Sequence, residues 1–375
     1  MIMKVPYYVP WITDNDRRNV QKSLKQRWLT DGPFLDKFEN KFRQYIDVKF
    51  SSGVGSATQA LHLSMRALGL SPGDEVIVPT FTFASTANAV LYCGAKPILT
   101  DVDSETFNIS PKEIVKNITK KTKAIIVVHY GGQSCDMNEI LSIGKKYKLK
   151  VIEDCAHALG STFKNKKCGS IGLTGCFSFY PTKIITTGEG GMVTTNDKSI
   201  LNKVNNLKSQ GMSIQAKERE TKAVWKYDII DLGYNYRLDE IRSSLGLSQL
   251  NRVTEINQKR IRIAQKYNKL IKKINGLSIP IKKSDRNHIY HLYTIKVEKE
   301  YPITRDELFA NLFKKGIGTS VQYYPLHLMS LYQQTYKNKK HGFPVANELK
   351  DKILCLPIYA QMTDKAIQYV VSNLK

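Results

Sequence analysis

Three short stretches of the chain combine residue types that can do chemistry. The first ends in Asp154, which closes the apolar run V-I-E-D. A carboxylate at a buried strand end needs a partner, because an unpaired buried charge is costly. The same residue also suits the N-cap of the helix-like C-A-H-A-L that follows. The second stretch is F-S-F-Y-P-T-K-I-I-T-T-G-E-G-G at 177–191. Ser178 sits in a short strand, Pro181 breaks it, Lys183 follows, and glycines at 188, 190 and 191 permit tight turns. A lysine in that setting is either a snorkelling surface cation or an amine whose partial burial lowers its pKa and makes it nucleophilic. The third stretch, G-V-G-S-A-T at 53–58, opens a helix, where free backbone N–H groups and the helix dipole favour a phosphate. It has neither the G-K-T of a P-loop nor the spacing of G-x-G-x-x-G, so it also reads as a plain capped helix start. Taken together, an amine, an acidic strand end and a phosphate cradle are what pyridoxal phosphate requires.

These residues need elements to hold them. Apolar runs at 74–79, 96–102, 124–129 and 149–154 read as strands, followed by two shorter ones near 176–180 and 191–195. The segments between them carry helical periodicity. Phe38, Phe42, Tyr45 and Ile46 share one helical face, and so do Leu61, Met65 and Leu68. Strands without polar alternation, separated by helices, predict an α/β fold with a mostly parallel sheet covered on both faces. Ligands bind such sheets outside the carboxyl ends of the strands. The texture changes beyond residue 237. Leu238, Ile241 and Leu245 start a helix, and a long basic helix follows with Ile256, Ala264, Tyr267, Leu270, Ile271 and Ile274 on one face. Gly276 and Pro280 end it, and 288–298, 317–323 and 353–356 read as strands among helices. The expected division is a large domain at 1–250 and a smaller α+β domain at 251–375.

Composition narrows the classes. The 375 residues are 42% hydrophobic and 24% charged, which is globular and leaves room for about two or three domains. No apolar run is long enough for a membrane helix. The opening M-I-M-K-V-P-Y-Y-V-P has no apolar core of signal-peptide length, so the expected location is cytoplasmic. Six scattered cysteines with no C-x-x-C and no histidine cluster predict neither disulfides nor a metal site. The formal charge of +24 is unusual. Its lysines are dispersed, without a basic stripe interleaved with aromatics, so the reading is a solvated basic surface rather than a nucleic-acid interface. That surface draws anionic small molecules toward a cleft.

The chain resembles the DegT/DnrJ/EryC1/StrS sugar aminotransferases of type I (aspartate aminotransferase-like) fold. The resemblance rests on L-T-D-G-P (29–33), G-S-A-T-Q-A-L (55–61), P-T-F-T-F-A-S-T-A-N-A (79–89) and V-I-E-D-C-A-H-A-L-G (151–160). It continues through S-F-Y-P-T-K…T-G-E-G-G (178–191), L-G-Y-N-Y-R-L-D-E-I (232–241), Y-Y-P-L-H (323–327) and L-P-I-Y (356–359). Each piece is weak alone; their order and extent are what make the match specific.

The resemblance implies roles. Lys183 would be the Schiff-base lysine and proton shuttle, Asp154 the partner of the pyridine nitrogen, and His157 a neighbour of the ring's phenolic oxygen. Phe83 would stack on the ring. Ser56, Ala57, Thr58 and Ser178 would hold the phosphate. Asn235 would reach the phosphate of a neighbouring subunit, implying a homodimer with a shared site. Tyr236, Arg237 and His327 would face the substrate, with Arg237 a candidate for a donor carboxylate. Without the family, Phe83 reads as a core aromatic, Asn235 as a turn residue, Arg237 as half of an ion pair and His327 as a loop histidine. Three positions depart from the common pattern: Ala57 stands where glycine is usual, His157 where glutamine is frequent, and Gln322 where histidine often precedes the Tyr-x-Pro segment. The implied reaction is transfer of an amino group from glutamate to a nucleotide-linked keto-sugar. Sugar-dehydrating members of the family replace the Schiff-base lysine, and Lys183 is retained here. Amination of another small ketone, or a regulatory role on the same fold, are the alternatives.

Overall fold

The computed structural model describes residues 3–214, 219, 221, 223–336 and 342–375. A seven-stranded sheet forms its centre. In chain order its strands are β1 (Phe50–Val54), β2 (Glu75–Pro79), β3 (Lys96–Thr100), β4 (Thr122–Val128), β5 (Lys150–Asp154), then, after a short hairpin of β6 (Thr162–Phe163) and β7 (Lys166–Lys167), β8 (Thr174–Ser178) and β9 (Gly191–Thr195). The spatial order is β1-β9-β8-β5-β4-β2-β3. Neighbours from β8 through β3 run parallel, and β9 is antiparallel to both β8 and β1.

The sheet is buried on both faces, which is why its strands are apolar without alternation. Val76 and Val78 of β2 pack with α3 (Ala57–Ala67) and α4 (Ala84–Leu91), whereas Ile77 between them packs on the opposite face. There it meets Ile114, Met137 and Ile140, from helices α5 (Pro111–Asn117) and α6 (Met137–Tyr147). Ala124 and Ile126 of β4 alternate with Ile125 and Val127 in the same way. A third cluster gathers Phe38 and Phe42 of helix α2 (Pro33–Ile46) around Phe177 and Phe179, with ring centroids 4.9–5.6 Å apart across the helix–strand boundary. Helix α7 (Lys198–Lys208) adds Ile200, Val204 and Leu207 to the first cluster.

Helix α8 (Glu240–Leu250) is tied to α2 by Glu240. This buried carboxylate accepts the N–H groups of Gly32, Phe34 and Leu35 at 3.2, 2.8 and 2.9 Å, satisfying the open first turn of α2. The long basic helix is α9 (Val253–Ile271). It covers an antiparallel sheet in which β12 (Tyr293–Val297) lies between β10 (Leu277–Ser278) and β13 (Ile353–Leu356). Helices α10 (Arg305–Lys314) and α13 (Asp364–Ser372) complete this second core. Val5 joins it as well and bridges Ile317, so the N-terminal segment packs with C-terminal elements. The strand expected at 317–323 is not a continuous one. Ile317 pairs with Val5 and Ser320 with Cys355, so the segment divides its hydrogen bonds between two partners and forms no ladder. Among the described residues no helix is long and apolar enough to cross a membrane.

Candidate active site

The sheet register brings distant residues to one edge. Asp154 ends β5 beside Cys176 of β8; Ser178, two residues on, pairs with Gly191, and Gly191 pairs with Val54 at the end of β1. Two residues past Val54, Ser56 caps α3, its hydroxyl accepting the Gln59 N–H at 3.2 Å. Ala57 and Thr58 follow as the first residues of the helix, both half-buried. Gly191 has no room for a side chain here. A Cβ on it would lie 2.5 Å from the Ser56 carbonyl carbon and 2.8 Å from the Ala57 nitrogen. The start of α3 and the Ser178–Gly191 pair therefore form one close-packed cradle.

Lys183 lies in the loop between β8 and β9. Its N–H donates to the Tyr180 carbonyl at 2.9 Å, and the loop folds back where the Thr187 N–H meets the Phe179 carbonyl at 3.0 Å. Gly188 turns with φ +79°, a conformation that L side chains rarely adopt. Burial pushes the Lys183 ammonium from its ordinary 10.5 down to about 8, opposed by the negative charge of Asp154. The residue as a whole is half-buried.

Asp154 is buried and precisely held on two sides. Thr86 Oγ1 donates to Oδ2 at 2.9 Å and the Ala156 N–H to Oδ1 at 3.1 Å. Burial raises its pKa, and those two hydrogen bonds and the Lys183 charge hold it back. A buried carboxylate in this state gains from a cation placed against it. His157 lies one turn on. Burial, with help from the Lys183 charge, holds its ring well below the ordinary histidine range, so the imidazole is neutral. Its Nε2 lies 2.9 Å from Tyr323 Oη, and its Nδ1 is buried with no hydrogen-bond partner among the described residues. Phe83 caps α4 and is 61% exposed, with its ring 6.1 Å from that of Tyr323.

The remaining expected residues sit differently. The segment 236–237 runs along the end of β1: the Gly55 N–H donates to the Tyr236 carbonyl at 3.2 Å, and Arg237 bridges Val54. The Tyr236 ring stacks on Tyr234 at 4.8 Å, and Arg237 Nε is 4.0 Å from Asp31. Asn235 is exposed, with its backbone bridged to Ser209. His327 is enclosed by its neighbours. It is buried, with Nδ1 2.8 Å from Thr80 Oγ1, Nε2 3.0 Å from Asn347 Oδ1, and Phe343 stacked at 4.0 Å. Both ring nitrogens are engaged in hydrogen bonds.

Thr86, Tyr323 and His291 were not legible as site residues. Thr86 and Tyr323 lie inside motifs that carry the resemblance, but nothing local marks a threonine as the partner of a carboxylate 68 residues away. His291 stacks on His157 with centroids 4.4 Å apart. The sequence also concealed a buried group of His129, Glu153 and Cys168 behind Asp154. Its ligating atoms are already engaged. Glu153 accepts from His129 Nε2 at 2.9 Å and from the N–H groups of Gly169, Ile171 and Gly172 at 2.6–2.9 Å, while His129 Nδ1 accepts from the Cys135 N–H at 3.1 Å. That network anchors the end of β5 from which Asp154 projects.

The residues present fit pyridoxal phosphate. A depressed amine, a buried carboxylate short of a cation, an unpartnered imidazole nitrogen, an exposed aromatic face and a close-packed helix N-terminus lie around one end of one sheet. Comparison with known proteins agrees. The model of the DegT/DnrJ/EryC1/StrS aminotransferase family matches residues 10–375, and the chain belongs to that family. Its class is therefore that of the pyridoxal-phosphate-dependent sugar aminotransferases. The chain is 38% identical over 374 residues to the spore coat polysaccharide biosynthesis protein SpsC of Bacillus subtilis, covering 99% of this chain and 96% of that one. It is 37% identical over 371 residues to the GDP-perosamine synthase of Escherichia coli O157:H7, covering 99% and 97%. A putative sugar aminotransferase of Streptococcus pneumoniae, solved in its PLP form, superposes with a TM-score of 0.91 at 28% identity, covering 100% of this chain and 98% of that one.

Proposed function

We propose that the protein transfers the amino group of glutamate to a nucleotide-linked keto-sugar, yielding an amino-sugar nucleotide for polysaccharide assembly. The observation that carries the reading is Lys183, an amine lowered to about 8 with Asp154 and His157 close enough for its charge to act on both. Relatives named for GDP-perosamine synthesis and spore coat polysaccharide support a sugar-nucleotide substrate, and the net charge of +24 suits a diphosphate and a dicarboxylate. Pyridoxal phosphate, when bound, supplies an electron sink that stabilises negative charge on the carbon bearing the nitrogen.

The chain's own residues supply the rest. Lys183 holds the cofactor through its Nζ and, once released, carries a proton to and from the substrate carbon. Asp154 holds positive charge on the pyridine nitrogen. Thr86 fixes the carboxylate's direction. Ser56, Ala57, Thr58 and Ser178 receive the phosphate, Phe83 covers the ring, and Tyr236 and Arg237 line the substrate side. Asn235 serves the site of a second copy, which makes the working unit a homodimer. The exposed apolar side chains of Trp225, Ile229, Ile230 and Leu232, just before it, support that assembly. Six buried free cysteines suit the reducing cytoplasm. The proposed division into domains stays near residue 250, between α8 and α9.

The test is spectroscopic. Added pyridoxal phosphate should give wild-type protein a visible absorption band that glutamate bleaches and that Lys183→Ala lacks. A panel of nucleotide-linked keto-sugars should then restore the band as each accepts the amino group. A band that glutamate leaves unchanged would overturn the choice of donor.

A further inference from the structure

The hydrogen bond between Tyr323 and His157 can be oriented by counting partners. His157 is a neutral imidazole, with one N–H and one lone pair on its ring nitrogens. The described residues give Tyr323 Oη one partner, His157 Nε2 at 2.9 Å, and give His157 Nδ1 none. If His157 donated from Nε2, the Tyr323 O–H would be an unmatched donor and Nδ1 an unmatched acceptor. If Tyr323 donates, the N–H at Nδ1 is the single unmatched group. Unmatched buried polar groups are costly and infrequent, so the second arrangement is favoured. Tyr323 is also fit to donate: burial, with the Asp154 charge, keeps its phenol protonated.

The surroundings leave the ring little freedom to reverse the bond. The His157 and Tyr323 rings lie parallel to within 7°, with centroids 5.9 Å apart. His291 stacks on His157 at 4.4 Å, and Arg260 donates to the His291 carbonyl at 2.6 Å. Among the described residues, the charged or titratable groups that act on or touch His157, besides Tyr323, are Lys183 from the β8–β9 loop, His291 from the segment before β12, and Tyr130 just past β4, in edge contact at 6.3 Å. None of these gives Nδ1 a hydrogen bond.

We infer that Tyr323 is a positioning residue that fixes His157 in the tautomer carrying its proton on Nδ1, leaving one N–H donor free for an anionic ligand oxygen. Resting on the cofactor reading above, that oxygen is the phenolic oxygen of pyridoxal phosphate. Glutamine, frequent at this position in the family, offers an N–H from its side-chain amide without assistance. Histidine needs a second residue to choose which nitrogen carries the proton, and Tyr323 makes that choice.

The test separates the tautomer from the chemistry. Protein labelled with 15N-histidine would be examined free of cofactor and loaded with pyridoxal phosphate, with His157→Gln used to assign the His157 signals. Wild type should show a protonated-type Nδ1 and a lone-pair-type Nε2 in both states. Tyr323→Phe should lose this single pattern, with the two tautomers averaging or reversing. In the same variant the pH midpoint of the Lys183-dependent visible band should rise by several tenths of a unit. A donor drains negative charge from the phenolic oxygen, and that charge otherwise helps retain a proton on the Lys183 nitrogen. His157→Gln should restore the wild-type midpoint when combined with Tyr323→Phe, since an amide donor does not depend on the tyrosine. A proton on Nε2 in the wild type, or an unchanged tautomer and midpoint in Tyr323→Phe, would overturn the inference. Absence of any visible band in the wild type would instead overturn the cofactor reading, while the spectra of cofactor-free protein would still decide the tautomer.

Discussion

Lys183 costs the cofactor-free protein stability, and the cost has a definite pH dependence. Its folded pKa is lowered to about 8 while the unfolded chain keeps the ordinary 10.5. Between these values the unfolded state binds more protons, so stability rises with pH across the window, and below about 8 the penalty stands at full size. Lys183→Met should therefore stabilise the cofactor-free protein at pH 7 by about 1–3 kcal/mol, the range allowing for solvent screening. The gain should vanish as pH approaches 10.5, which paired denaturant titrations at several pH values would show. The same variant should lose turnover entirely. Asp154 works in the opposite sense: it is raised, and a cation beside it returns the carboxyl toward its ionised form. Asp154→Asn keeps the contacts and removes the charge: its Oδ1 still accepts the Ala156 N–H, and its Nδ2 donates to Thr86 Oγ1 once that hydroxyl turns to Thr82. It should lower kcat by about 100-fold or more while leaving thermal stability nearly unchanged, a split that only an electrostatic role produces. A comparable loss of Tm would mean that Asp154 serves the fold.

At the scale of elements, the site depends on how closely strand and helix ends approach. The strands that carry Asp154, Ser178 and Gly191 were legible because burial on both faces makes them apolar throughout; β9 falls at 191–195 as its residues indicate. Helix α2 was legible for a related reason, since Phe38, Phe42 and Ile46 must share one face. Contacts that join distant segments left no trace of this kind. Glu240 capping α2, Thr86 on Asp154 and Tyr323 on His157 each involve an ordinary residue type at an unremarkable local position, given meaning by the tertiary fold. His327 shows a similar gap. Its motif pointed to the substrate, and nothing in that motif foretold that Thr80 and Asn347 engage both ring nitrogens. Gly191 tests the closest of these approaches. A Cβ there would meet backbone atoms of Ser56 and Ala57 at 2.5–2.8 Å, which no side-chain rotation relieves. Gly191→Ala should push the start of α3 outward, weaken pyridoxal phosphate binding about tenfold or more, and cost about 1–3 kcal/mol of stability. Equilibrium dialysis and denaturant titration would measure the two effects. Unchanged affinity would remove the start of α3 from the phosphate site.

At the scale of the whole molecule, surface charge and surface apolarity make separate demands. A net charge of +24 favours encounter with anionic substrates, so kcat/KM for a sugar nucleotide should fall severalfold between low and physiological salt while kcat holds. The same charge opposes association of two copies, so a stable dimer needs apolar surface to offset the repulsion. In the proposed dimer the stretch before Asn235 would supply it: Trp225 is 84% exposed and Leu232 75%, with Ile229 and Ile230 also outward. Several large apolar side chains left in water within eight residues are what an association surface would need. Arg66 of α3 pairs with Asp231 of this stretch at 2.9 Å, which places the apolar side chains beside the helix that opens the phosphate cradle. Leu232→Asp combined with Trp225→Ser should shift the protein from dimer to monomer in sedimentation velocity. It should also weaken pyridoxal phosphate retention, because Asn235 would no longer reach a neighbouring site. Asn235→Ala should weaken retention without dissociating the dimer. If the wild type sediments as a monomer and still retains the cofactor, the shared site is wrong and each chain completes its own phosphate cradle.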